Sequence, residues 1–522
     1  MSCPRFLSGA IAVAAVSLLT SACTTGSNPS VDGGGAGGAR GGGTVRLALT
    51  SDVTTFDPIK QRAASDYVVG RLMYETLVGQ DDDGTIVPRI AAKWHQSPTG
   101  VTFTLKKGVT CSDGKPLTAS QVAASLTRYR TSSAGAAMTF GPGNTGAGTT
   151  ITGDDKAGTV SVRLAAPWGE LLPGLANTTT GVVCSPGLSA GDRLGTGAVG
   201  GAGTGPYELV GSERGSTYEL KLREGFDAWP RYAAMPAGRP AGTLKVSVVK
   251  NESTLANQLQ TGAVDFGAFT GPDAARFGRG GFTIAAAPLI RNFVAFNQRE
   301  GHPGADPEIR RAVAQAIDAR AFNRVFGDTG QVMTSYVDAR ALCVSTDASL
   351  LTKTDPAAAK KVLDGVKIEL VGSNAVAQGA GNTYVQEALR AAGADVKLTN
   401  ADNGTWATRV TGNQGDWDLT VFPMIYGQLA RGGVHFIGEE PAKGRNFGAV
   451  DNKAFLAGYG AATTTVDQNA KCAAWQKAQK ALLHANDVVP LATVNVHYVF
   501  RAGISAATPA GAFDPATLRI AE

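Results

Sequence analysis

Two stretches of the chain carry spacings that enzymes use. Gly187-Leu188-Ser189-Ala190-Gly191 fits G-x-S-x-G, the turn that exposes a nucleophilic serine in hydrolases. Gly195-Thr196-Gly197-Ala198-Val199-Gly200 fits the G-x-G-x-x-G that lays a pyrophosphate on a helix N-terminus. The first needs a strand before it and a helix after it, and the second needs a helix to open. The residues beyond both are Gly/Thr-rich and do not make one, so both are read as surface loop. His95, His302, His435, His484 and His497 form no H-x-x-x-H or Cys/His ligand spacing, so no metal site is expected. With no Ser/His/Asp set standing out, the chain reads as a protein without catalytic residues or cofactors, not an enzyme.

At 522 residues the chain exceeds what one core can organise, which stops growing at roughly 250–300 residues, so two or more lobes are expected. A formal net charge of +5, with no basic run interleaved with aromatics, excludes nucleic acid as the expected partner. Arg5 followed by the apolar Phe6–Leu19 is a signal peptide (1–22), because a bilayer span needs about 20 apolar residues. Residues 23–43 are a Gly/Ser-rich flexible tether. Beyond this leader stand Cys111, Cys184, Cys343 and Cys472, which in an exported chain suggest two disulfides with three connectivities open.

Periodicity supplies the elements. Thr44–Leu49 alternates as a strand, Ser65–Leu77 has a helical face at Val68, Leu72 and Thr76, and Thr102–Leu105 is a strand. Ser112-Asp113-Gly114 turns the chain into a helix opened by a Thr118/Gln121 capping box. Residues 131–153 read as surface loop, 159–164 as a strand and 168–175 as a short helix. Strands come next through 218–222 and 244–249, and a helix carries Leu255 and Leu259. Asp306-Pro307 opens a helix with Ile309, Ala312, Val313, Ala316 and Ile317 on one face, and Asp355-Pro356 opens another. A strand at 366–371, a helix at 384–391, a strand through Pro423, a helix at 468–484 burying Cys472 and Trp475, and a strand at 488–500 complete the chain.

Several of these stretches together resemble one family. The order strand, Ser-Asp-Gly turn, Pro-Leu-Thr-Ala, helix over Val101–Arg128 is similar to a signature of the extracellular solute-binding proteins that serve oligopeptide, dipeptide and nickel ABC importers. So are Gly203-Thr204-Gly205-Pro206-Tyr207, Leu259 to Asp265, and Phe296-Asn297 followed by Ile309–Asp318. Leu19–Cys23 resembles a bacterial lipobox, which makes Cys23 the lipidated residue. The resemblance implies an α/β, two-lobed periplasmic-binding-protein-like fold of the large peptide-binder type, with an extra N-terminal subdomain. Lobe I would span 44–285 with the subdomain at about 70–200, lobe II 286–487, and 488–522 would return to lobe I. It implies a monomer held at the outer face of the cell membrane by its lipid, handing a small-molecule or peptide ligand to the ABC permease subunits. An envelope interaction or regulatory lipoprotein that kept the fold is the alternative. A hinge-bending binder would be locked by a cross-link between lobes, which implies Cys111–Cys184 and Cys343–Cys472. Carried over position by position, the ligand-facing residues are Thr54, Thr55 and Phe56, then Arg291 and Asn292, then Met424, Tyr426 and Gln428, and finally Thr493, Asn495 and His497. Many peptide binders carry an Asp for the peptide's amino terminus near Tyr426. None occurs here, and Arg291 suits a carboxylate instead.

Overall fold

The computed structural model describes residues 42–133 and 135–521, so the leader, Cys23 and most of the tether lie outside the described residues. Ten strands make one mixed sheet: β1 (Gly42–Leu49), β2 (Tyr207–Glu213), β3 (Thr217–Leu222), β4 (Ala241–Val248), β5 (Phe266–Phe269), β6 (Phe282–Phe296), β7 (Lys367–Ser373), β8 (Asp395–Ala401), β9 (Leu419–Met424) and β10 (Val488–Arg501). Their spatial order is β8-β7-β9-β6-β10-β5-β1-β4-β3-β2. β1 runs parallel to β4 and β5, β7 parallel to β8 and β9, while β6 is antiparallel to both β9 and β10.

β6 and β10 explain why this sheet is two lobes. Along β10, Val489, Leu491 and Ala492 pack in one core with Val294 and Phe296. Val494, Val496, Tyr498 and Phe500 then pack in another with Val45, Leu47 and Leu244. β6 makes the same passage, from Ala287 and Ile290 in the first core to Phe293 and Val294 in the second lobe. Where the cores change, the β6–β10 register shifts twice, between Ala287 and Ile290 and between Arg291 and Phe293. Such bulges bend and twist a strand, which makes this crossing the hinge.

Local chemistry sets the helices. α1 (Ala64–Met73) is shorter than periodicity suggests, because Tyr74 leaves the helix at φ −131°, ψ 131° and carries Glu75 inward to two arginines. α2 (Ala119–Ser132) opens with the expected capping box: Gln121 N–H donates to Thr118 Oγ1 at 3.3 Å, and Thr118 N–H to Gln121 Oε1 at 3.2 Å. Below α2 lies a separate antiparallel sheet in the order Ala91–Ser97, Gly100–Leu105, Thr159–Arg163, Thr150–Asp154, with its own core of Phe103, Val122, Leu126, Phe140 and Trp168. The expected surface loop at 131–153 is corrected here. It contains the helix Ala136–Phe140 and the strand Thr150–Asp154, with Met138 and Phe140 buried. The serine motif is also not a loop, since Ser185–Ser189 is a short helix and Gly191–Thr196 a 3-10 turn. No strand leads into it, and Ser189 is exposed.

In the second lobe α3 (Lys453–Thr463) and α4 (Gln468–His484) pack as a pair, with Ala478 fitted against Gly458. Cys111 is bonded to Cys184 beside the small sheet, and Cys343 to Cys472 in the second lobe, where Cys472 is half-buried rather than buried.

The second lobe also contains an acid-sensitive group. His435 is buried, with Phe422 and Phe447 at ring distances of 5.2 and 5.6 Å, and its pKa is pushed down to about 4 by burial and then by Arg445. A depressed pKa adds stability that is fully present above the unfolded value near 6.5 and is lost as pH falls toward 4, about 3 kcal/mol in all. Urea titrations at stepped pH should show His435→Phe losing that much less than wild type between pH 6.5 and 4. Parallel losses in the two proteins would contradict this.

Candidate functional site

The hinge carries an ion cluster built on two buried groups, Arg291 and Asp338, and an exposed third, Arg340. Arg291, in β6 and 2% exposed, donates through Nε to Asp338 Oδ2 and through Nη1 to Leu289 O at 2.6 Å and Ile425 O at 3.1 Å. Arg340 completes it, donating from Nε and from its backbone N–H to Asp338 Oδ1, each at 3.0 Å, and from Nη2 to Pro288 O at 3.1 Å. The bulge leaves Pro288 and Leu289 carbonyls without ladder partners, and these arginines satisfy them. Burial would raise the Asp338 carboxyl, yet Arg291 and Arg340 hold it below its ordinary value.

Beyond the cluster the chain continues from β9 into Tyr426, Gly427 and Gln428. Arg431 lies over the Tyr426 ring at 4.5 Å. Tyr67, half-buried on α1 in the first lobe, is pushed up to about 12 by burial and then by Tyr426. Gln428 Nε2 donates to Gln80 Oε1 across the gap at 2.9 Å. On the same first-lobe side, Asp66 accepts from Thr54 N–H (2.7 Å), Thr54 Oγ1 (2.8 Å), Arg62 N–H (3.0 Å) and Ala63 N–H (3.0 Å). That single carboxylate both caps α1 and shapes the loop that presents Thr54.

The eleven residues carried over from the family do not converge as a set. Thr54 is exposed and Thr55 half-buried, its Oγ1 accepting from Asp57 N–H at 3.1 Å. Phe56 is corrected: it is 1% exposed and meets Tyr218 edge-on at 5.7 Å inside the first core. Arg291 and Asn292 cannot share a face, because side chains alternate along a strand. Arg291 falls on the side of Phe293, while Asn292 falls on the side of Val294, where its Nδ2 donates to Ala492 O at 3.2 Å. Met424 is 1% exposed in the second-lobe core, and Thr493 is fully buried, accepting from Gln331 N–H at 2.8 Å. Those four side chains are used internally. Asn495 is half-buried and donates to Thr329 O, and His497 pairs with Phe269 well down the first lobe. What the fold gathers is Arg291, Tyr426 and Gln428, joined by Asp338, Arg340, Tyr67 and Gln80, which no sequence spacing marks.

The lobes also touch away from the hinge. Lys471 on α4 meets Glu170 at 2.8 Å with both side chains nearly buried, and Gly169 N–H donates to Thr463 O at 2.6 Å. A Cβ on Gly169 would stand 2.0 Å from Thr465 O, so glycine is what permits this approach. Among the described residues no group of three or more His, Cys, Asp or Glu gathers as for a metal ion.

Two α/β lobes hinged on two long strands, with polar groups facing one another across the gap, define a two-lobed binding protein. The chain belongs to the bacterial extracellular solute-binding proteins, family 5, whose middle-region model matches residues 85–428. A substrate-binding protein from Microbacterium hydrocarbonoxydans, solved with 4-hydroxybenzoate hydrazide, is 37% identical, with a TM-score of 0.82 over 92% of this chain and 100% of that one. The periplasmic binding protein DppA of Helicobacter pylori, solved with the peptide STSA, shares the fold at 18% identity and TM-score 0.77, over 92% of this chain and 99% of that one. Among curated proteins, the glutathione-binding protein GsiB of Salmonella typhi is 27% identical over 289 residues, 54% of this chain. The match spans about half the length of that relative, 53%.

Proposed function

We propose that this chain is the substrate-binding lipoprotein of an ABC importer, capturing an oligopeptide-like solute between its lobes and delivering it to the permease. The observation that carries this is the crossing of β6 and β10, the long strands that pass from the cores of one lobe into those of the other and are bulged where they cross. Lobe I would comprise 44–285 with a subdomain at about 70–200, lobe II 286–487, with 488–522 returning to lobe I. Cys23 would carry the lipid, and residues 23–43 would let the body range roughly 25 Å from the membrane. Thr54, Thr55, Tyr426 and Gln428 remain the side chains best placed to meet the solute.

A smaller acyl solute is a second reading. Asp66 accepts four internal hydrogen bonds and Asp338 is held by two arginines, so neither carboxylate is left free for a peptide's amino terminus. The relative solved with an aromatic acyl hydrazide points the same way. Thermal melting with a tryptic peptide mixture and with aromatic acyl hydrazides tests both, because a ligand at 100 times its Kd adds about 2.7 kcal/mol. A raised melting temperature with either is the expected result. No rise with any solute, and none recovered by mass spectrometry from the purified protein, would sink the proposal.

A further inference from the structure

Arginine carries five N–H donors, and at Arg291 three are accounted for: Nε to Asp338, and the two on Nη1 to the carbonyls of Leu289 and Ile425. Nη2 has no protein acceptor among the described residues. Nη2 is not among the fully buried polar atoms that lack a partner, so although the residue as a whole is 2% exposed, solvent or a solute can reach this edge. The edge opens over Gly427, where a Cβ would stand 3.1 Å from Nη2 and 3.5 Å from Cζ. Gly427 takes no positive φ, so backbone conformation does not require glycine there. What glycine does provide is an open approach to Nη2. Around that opening stand Tyr426 under Arg431, the exposed Ile425, and Gln428 reaching the first lobe. Asp338 is already faced by two guanidinium groups, which offset its charge and work against a ligand cation beside it.

We propose that Nη2 of Arg291, kept open by Gly427 and held in orientation by Asp338, is an oxygen-anion subsite that takes a carboxylate or acyl oxygen of the solute and rejects a free ammonium at this position. This rests on the solute-binding reading and adds the chemistry of one end of the ligand. A carboxylate here accepts charge-assisted hydrogen bonds from a fixed donor, which is where specificity is gained most strongly. The same oxygen chemistry is available from a peptide C-terminus and from an aromatic acid or acyl compound, so the two sources must be tested separately.

Titration calorimetry on the full folded body would use two probe series: N-acetyl-Ala-Phe beside Ala-Phe amide, and benzoate and benzoyl hydrazide beside benzylamine. Wild type is expected to bind an oxygen-bearing member of at least one series and to discriminate against its ammonium counterpart by about tenfold or more. Gly427→Ala, which sets one methyl against Nη2, is expected to weaken that probe at least tenfold while its melting temperature stays within a few degrees. Arg291→Lys keeps the charge without the planar fork and should lose the discrimination as well. Equal affinity in Gly427→Ala and wild type overturns the subsite. So does a preference for the ammonium probes, or wild type that takes up other solutes but none of these oxygen-bearing ones. Wild type that binds no solute of any kind overturns the solute-binding reading, and the subsite falls with it.

Discussion

Asp514→Ala is expected to cost about 3–5 kcal/mol of folding stability, because it breaks a buried ion network by removing one partner. The network joins three distant parts of the first lobe. Arg71 on α1 meets Glu75 at 3.0 Å and Asp514 at 3.1 Å; Arg89 meets Glu75 at 2.8 Å and Asp514 at 2.9 Å. No side chain in it is more than 5% exposed, and Tyr232 OH donates to Asp514 at 2.9 Å. Two guanidinium groups and two carboxylates balance. Without Asp514, two buried cations face one anion and the hydroxyl of Tyr232 loses its acceptor. Asp514 also caps a 3-10 turn, accepting from Ala516 N–H at 3.1 Å, and loss of a cap alone costs about 1 kcal/mol. Asp514→Asn separates the two effects, since it keeps an oxygen for the cap and loses the charge. In denaturant titrations both variants should fall well below wild type, Asn nearly as far as Ala. An Asn variant within about 1 kcal/mol of wild type would mean that the cap, and not the network, carries the effect.

Removing a disulfide should cost nearly as much. The bridges close sequence separations of 73 and 129 residues, for which loop entropy gives roughly 4–5 kcal/mol each, within the 2–5 usually seen when native bridges are lost. For Cys343 part of this returns, because the residue is held at φ +66°, a left-handed conformation that relaxes once the tie is cut. The paired variants Cys111→Ser/Cys184→Ser and Cys343→Ser/Cys472→Ser should therefore each lose about 2–5 kcal/mol, the second less than its longer loop suggests. Their effects on binding should differ. The first bridge ties the turn at Cys111 to the start of the Ser185–Ser189 helix, neither of which carries a contact between lobes named above, and its loss should leave affinity within about threefold. Cys472 adjoins Lys471, whose ammonium reaches Glu170 and Gly169 O in the other lobe, so cutting the second bridge is expected to loosen the first turn of α4, from which that contact is made. A faster ligand off-rate confined to the second variant is the expected outcome. Equal off-rates in both would show that the Lys471 contact stands without the bridge.

Much of the scaffold was legible because it is local. Thr118 with Gln121, Asp306 before Pro307, and Asp355 before Pro356 cap their helices with the groups that stand next to them in sequence. Gly262 ends its helix in the left-handed conformation at φ +77°, a demand legible locally, although Arg501 also crowds the site where a Cβ would stand. Misreadings arose where burial overrode composition. Met138 and Phe140 look like isolated apolar residues in a Gly/Thr-rich run, yet both are buried, Phe140 in one core with Trp168 and the apolar face of α2.

By itself the sequence determined, through its length, that one core would not suffice and, through patterns of a few adjacent residues, which family it resembles. Which side chains face the gap was decided only by the tertiary structure. Strand parity sends Arg291 and Asn292 to opposite faces, and the register shift between Ala287 and Ile290 frees the carbonyls that Arg291 and Arg340 then occupy. Asp338 is 47 residues from Arg291 in the chain, and Gln80 is 348 from Gln428. Pairings at such separations leave no local periodicity, because they are set by how layers stack and not by what any one segment prefers.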